Sequence, residues 1–130
     1  MIMLKKFYLV FMGLTYFAIG AWAIIDLGFT DAVGLQVTSD IGYSEIAGIY
    51  GGLNLCIGSM CLIGLFKEYI GIFSIKFLTF LTGSIAFGRI ISSALQNMPG
   101  FFNTFFIFEV CACLIGLLLI NSTKKLDQIA

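Results

Sequence analysis

The sequence predicts an all-α integral membrane protein, a four-helix bundle with both termini cytoplasmic, and three observations lead there. Of its 130 residues 60% are hydrophobic and only 11% are charged, and the mean hydropathy is +1.07. A soluble domain of this size cannot hide so much apolar surface. The apolar residues gather into four continuous stretches, each near the roughly 20 residues that a helix needs to cross about 30 Å of hydrocarbon. A membrane β-barrel would need many segments of about ten residues with alternating polarity, and these runs do not alternate. Seven basic and seven acidic residues cancel, which leaves no excess positive charge for a phosphate backbone and excludes nucleic acid as the main partner. Histidine is absent, so the commonest metal ligand and general base are missing. Neither a cofactor nor a metal is expected.

The chain reads as a single four-span domain, 1–130, with spans at about 7–25, 45–66, 69–95 and 102–120. The first span follows Lys5-Lys6 and ends near Ala21-Trp22-Ala23, a signal-peptide-like pattern. Its apolar run is as long as a span, and it is read as an uncleaved helix. The outer loop, 26–44, is broken by Gly28, Gly34 and Gly42 and kept in water by Asp26, Asp31 and Asp40. Thr30-Asp31 is placed to cap a short interfacial helix through Leu35, and Ser44 to cap the second span. Phe66-Lys67-Glu68-Tyr69 reads as a tight hairpin turn. Gln96-Asn97-Met98-Pro99-Gly100 holds the only proline and, with the glycine after it, stops the third span. The two halves share no convincing repeat.

Orientation follows from the lysines, because basic residues near span ends stay on the cytoplasmic side. Lys5, Lys6, Lys67, Lys124 and Lys125 fall on one side of a four-span chain; Asp26, Asp31, Asp40 and Glu45 fall on the other. Lys76, about one and a half turns inside the third span, is expected to snorkel to the cytoplasmic surface.

A charge at the centre of an inserted helix costs about 2.5–3.5 kcal/mol, so Arg89 and Glu109 are the informative residues. Glu109 falls near the middle of the fourth span and Arg89 about 10 Å from the middle of the third. Pairing them inside the bundle is the most economical way to keep both ionised. Two roles stand open: a clamp that fixes helix register, or a pair that also binds a polar head or relays a proton. Tyr50 and Asn54 of the second span offer a hydroxyl and an amide as further partners.

Small residues mark the faces on which helices meet. Ala47, Tyr50, Gly51, Asn54, Gly58 and Cys61 recur at helical spacing, and Gly48 with Gly52 adds a GxxxG step. Thr82, Ile85, Arg89 and Ser92 or Ser93 share a face of the third span, where Ser84 and Gly88 form another close-packing step. Glu109, Ala112 or Cys113, and Gly116 align on the fourth, and Gly13, Tyr16, Gly20 and Trp22 on the first. Glu45 reads either as a first-turn carboxylate favoured by the helix dipole or as a second acidic partner of Arg89. Glu45 and Asn54 lie half a rotation apart, so joining both to one centre needs a bend, for which Gly51-Gly52 is the place. The four cysteines, Cys56, Cys61, Cys111 and Cys113, lack CxxC spacing and read as packing residues. Phe101, Phe102, Phe105 and Phe106 form an interfacial aromatic rim.

At Glu45-Ile46-Ala47-Gly48-Ile49-Tyr50-Gly51-Gly52 the chain resembles the Glu-Leu-Arg-x-x-Tyr-Gly-Gly signature of a family of short bacterial four-span membrane proteins, catalogued as domain-of-unknown-function family 4345 and similar to the DoxX-like proteins. The resemblance covers nearly the whole chain and extends to Gly88-Arg89-x-x-Ser92 and Glu109. Ala47 replaces the signature arginine, which thins any charge network using it, and Gln96-Asn97 stands in place of an Asp-Gly turn. The resemblance implies a four-helix bundle of the bacterial inner membrane and no settled activity.

The expected function is therefore a non-enzymatic accessory subunit or binding module with a buried Arg-Glu centre. Its partners are the bilayer and either a larger membrane complex, a homo-oligomer or a lipophilic small molecule. An alternative is an intramembrane lipophile-binding protein or small enzyme that uses Glu45 and Glu109 on a lipid, sterol-like or quinone ligand. Proton or ion passage is a thinner third reading.

Overall fold

The computed structural model describes residues 2–26, 28–95 and 102–127. The helices are α1 (Ile2–Ile25), α2 (Gly28–Ala32), α3 (Asp40–Ile46), α4 (Leu53–Ile63), α5 (Glu68–Leu95) and α6 (Thr104–Asp127), with a π-helical turn, Ala47–Gly52, joining α3 to α4. Among the described residues there is no strand, so the all-α class stands. Among the described residues four helical stretches are long and apolar enough to cross a membrane: Ile2–Ile25, Asp40–Ile63, Glu68–Leu95 and Thr104–Ser122. By length and composition this is a multi-pass membrane protein. The chain forms two compact units, Ile2–Gly71 and the residues from Ile72 onward.

Several element boundaries differ from the sequence reading, each for a local reason. The second span starts five residues earlier than Glu45, because Ser39 rather than Ser44 is its cap: Ser39 Oγ accepts the Gly42 N–H at 3.2 Å. Gly42, read as a loop breaker, lies in the first helical turn. Asp40 becomes the first-turn carboxylate, and Glu45 sits one turn too deep for that part. The short loop helix is capped by Asp26, whose Oδ1 accepts the Gly28 N–H at 2.8 Å, and not by Thr30-Asp31. It ends at Ala32, before Leu35. There Gly34 adopts φ +72°, while the Gly34 and Leu35 N–H groups donate back to the Asp31 and Thr30 carbonyls. This paired closure needs a left-handed residue, and glycine takes that conformation without a Cβ clash.

The hairpin turn between α4 and α5 falls at Gly64–Phe66, earlier than Phe66–Tyr69. A Cβ on Gly64 would stand 2.7 Å from the Gly71 Cα, so the chain reverses by pressing one glycine onto another. The fourth span opens at Thr104 because Asn103 Oδ1 accepts the Phe106 N–H at 3.0 Å, which leaves Phe102 outside the helix. The Gln96–Gly100 stop and Phe101 of the aromatic rim lie outside the described residues.

In the unit Ile2–Gly71, α1 and α4 run antiparallel with their backbones in close approach. A Cβ on Gly20 would meet Leu55 N at 2.6 Å and Gly51 O at 2.8 Å, and one on Gly58 would meet Phe17 N at 2.7 Å. Gly13, Tyr16 and Gly20 are buried on α1 as expected, with Tyr8, Leu9 and Met12 beside them. Trp22 departs from that face and is 44% exposed. Lipid offers no hydrophobic drive to helix association, so close contact of this kind supplies the dispersion that holds the hairpin.

In the unit from Ile72 onward, three contacts set α5 antiparallel to α6. Thr79 Oγ1 fills the place that a Cβ on Gly116 would take, a Cβ on Gly83 would meet Cys113 Sγ at 3.0 Å, and Arg89 pairs with Glu109. At Gly116 the absence of a side chain is what lets Thr79 come this close. At Gly48 and Gly88, among the described residues, no atom lies within 4 Å of a built Cβ, and one on Gly52 meets only the Ala47 carbonyl at 3.8 Å.

Candidate functional site

The charged centre is built within one helical hairpin. Arg89 Nε donates to Glu109 Oε2 at 2.8 Å and Arg89 Nη2 donates to Glu109 Oε1 at 2.9 Å. This is the bidentate fork geometry in which a guanidinium holds a carboxylate most strongly. The Glu109 side chain is 10% exposed and that of Arg89 36%. The two opposite charges thus face each other at hydrogen-bond distance, in surroundings where a lone charge would be costly.

The helix registers explain how the two groups meet. Arg89 stands six residues before the end of α5 at Leu95, and Glu109 five residues after the start of α6 at Thr104. Both are therefore about 8–9 Å from the same end of the hairpin. Glu109 is off the middle of its span, contrary to the sequence estimate, because α6 begins and ends later than 102–120. The side chains stand level, and no long arginine reach is required.

Thr82 and Ser93, expected to share the Arg89 face, turn instead to their own helix, as does Thr79. Thr79 Oγ1 donates to the Ile75 carbonyl at 2.7 Å, Thr82 Oγ1 to the Leu78 carbonyl at 2.8 Å, and Ser93 Oγ to the Ile90 carbonyl at 2.8 Å. Each donor is satisfied within the helix, the least costly arrangement in an apolar medium.

The second span carries Glu45, Tyr50 and Asn54 in the other compact unit. Asn54 Nδ2 donates to the Tyr50 carbonyl at 2.6 Å, and the Tyr50 ring packs on Phe29 at 5.5 Å between centroids. Glu45 is exposed on α3. At the position chosen for a bend the chain makes a π-helical turn, in which the Leu53 N–H reaches the Gly48 carbonyl. A wider turn rotates everything after it, so the stripe drawn at 3.6-residue spacing breaks. Gly51, Gly58 and Cys61 are buried, whereas Ala47 and Tyr50 are exposed. π turns of this kind recur at functional positions in helices.

A second polar arrangement, unforeseen from the sequence, closes the corner after α1. Trp22 Nε1 donates to Asp26 Oδ2 at 3.0 Å while Asp26 Oδ1 caps α2. The Gly28 N–H first, and the Trp22 indole second, hold the Asp26 carboxyl below its ordinary value. Trp22 also meets Phe29 edge to face at 5.4 Å. The signal was present as Trp22-x-x-x-Asp26, one helical turn apart.

Among the described residues no three Cys, Asp or Glu side chains converge as a metal site would require. The cysteines are free thiols; Cys61 is wholly buried and Cys113 lies against Gly83. The model of a family described as a domain of unknown function, DUF4345, matches residues 2–120. No curated protein and no solved structure matches the chain.

Proposed function

The chain belongs to the DUF4345 family of unknown function, and from that premise we propose that it is a non-catalytic accessory subunit or binding module of a membrane. The observation that carries this reading is the bidentate closure of Arg89 on Glu109. Both carboxylate oxygens are engaged by one guanidinium. A carboxylate held in this way is a poor proton shuttle and a good register lock. The lysines set the orientation we propose: Lys5, Lys6 and Lys67 on the cytoplasmic face of a bacterial inner membrane, and Asp26, Asp31 and Asp40 on the opposite face. The open Gly48 position is consistent with a helix of a larger complex, or of a second copy, packing there.

Native mass spectrometry of the protein extracted gently from its own membrane tests this. Recovery with larger subunits, or as a homo-oligomer, at a fixed ratio supports the accessory role. Recovery of the monomer carrying one defined quinone or sterol-like mass, lost in Glu109→Gln, overturns it in favour of a lipophile-binding or catalytic pocket.

A further inference from the structure

We propose that the open groove along α5 and α6 binds one acyl chain of an anionic phospholipid whose headgroup phosphate rests on Lys76. The groove holds about 430 Å³ and runs from Lys76 to Phe87 over Gly83 and Ser84, with Cys113 at its back. Its shape follows from the sequence. Phe80 and Phe87 are seven residues apart, two helical turns, and project from the same face. They are 77% and 63% exposed. Between these two rings Gly83 and Ser84 supply almost no side-chain bulk, and the slot results.

The groove is long enough to guide a chain inward. Lys76 and Phe87 are eleven residues apart, or about 16 Å along the helix at 1.5 Å per residue, with Lys76 about 8 Å before the midpoint of α5 and Phe87 about 8 Å beyond it. The charge is at the appropriate end. Lys76 lies eight residues after Glu68, the first residue of α5, about 12 Å inward, and helical side chains lean toward the N-terminus. Its ammonium therefore rises toward the nearer surface, while the groove descends from it to the middle of the span and past it to Phe87. Among the described residues no carboxylate pairs with Lys76. A cation at this depth is stabilised by an external anion, and a lipid phosphate is the anion that the bilayer supplies beside an acyl-lined slot. The inference rests on the membrane-spanning character of α5 and α6 and not on the accessory role.

The test uses the full chain in nanodiscs made from equal amounts of phosphatidylglycerol and phosphatidylcholine with matched chains, and reads the retained lipid by native mass spectrometry. The expected result is one retained phosphatidylglycerol, enriched about fivefold over phosphatidylcholine, the preference that a single lysine near an anionic headgroup supplies. Lys76→Met should lower the ratio to parity, and Lys76→Arg should keep it. Ser84→Phe, or Ser84→Leu should the bulkier variant fail to fold, should reduce retention of both lipids by filling the slot. Lys67→Gln, outside the groove, should change nothing. Parity in the wild-type protein, an unchanged ratio in Lys76→Met, undiminished retention in the Ser84 variant, or an equal loss in Lys67→Gln would each overturn the proposal.

Discussion

Gly58 lies so close to Phe17 that a Cβ at position 58 would stand 2.7 Å from the Phe17 amide nitrogen, with the Gly13 carbonyl oxygen at 2.8 Å on the same side. Both neighbours are backbone atoms of α1, so neither can swing aside as a side chain would. Gly58→Ala therefore has to push the two helices apart along the hairpin. We expect a loss of about 1–3 kcal/mol, the usual range for overpacking, read as a lower melting temperature in nanodiscs. An unchanged melting temperature would show that α1 and α4 separate freely and that their close contact adds little.

Gly48→Ala provides the opposite expectation. Among the described residues no atom lies within 4 Å of the new methyl group, and alanine favours helix over glycine by about 1 kcal/mol. The isolated protein should be as stable as the parent or slightly more so. If the protein is an accessory subunit that uses this face, the same substitution should lower the amount of larger subunit recovered with it. Full co-recovery with Gly48→Ala and with the bulkier Gly48→Leu would remove the face from any interface.

For the ion pair, removal of one partner and removal of both have different expected costs. Arg89→Ala leaves the Glu109 carboxyl unpaired at 10% exposure. The expected loss is about 3 kcal/mol, the low end for unpairing a buried charge, because the arginine itself is partly accessible. Arg89→Met combined with Glu109→Leu replaces both groups with apolar ones and should be less destabilising than either single change. Thermal unfolding of the three variants measures this. Additive losses would mean that the two residues act independently in spite of their geometry.

The four spans and the Arg89–Glu109 pair were legible in the sequence because both depend on gross free energies: long apolar runs enter lipid, and two opposite charges in lipid seek each other. Helix starts were less legible. Ser39 and Ser44 are both good caps, and the presence of Gly42 between them favoured the wrong one. In the structure the Gly42 N–H is the group that Ser39 satisfies. The π-helical turn leaves no periodic mark, since Ala47–Gly52 is compatible with an α-helix residue by residue, and every face drawn through it shifted. The Gly64–Gly71 contact leaves no hydropathy signal, because it is made by the absence of side chains. By composition Asp26 is a solvated loop residue, although its spacing from Trp22 places the indole one turn away.

That last pair provides the most direct pH experiment, because Trp22 is the only tryptophan in the chain and its indole N–H donates to Asp26 Oδ2. The Gly28 N–H and the indole lower the Asp26 pKa from its ordinary value of 3.8. A depressed carboxylate pKa means that the corner's contribution is fully present above the ordinary value and is lost as pH falls through the lowered one. Trp22 fluorescence in nanodiscs should therefore be flat from neutral pH down to about 4 and then change with a midpoint below 3.8. Asp26→Asn keeps an acceptor for the indole but cannot titrate, so its profile should stay flat through the same window. A midpoint at or above the ordinary value, or a transition that persists in Asp26→Asn, would show that the tryptophan reports on some other group and that the Asp26 cap does not govern this corner.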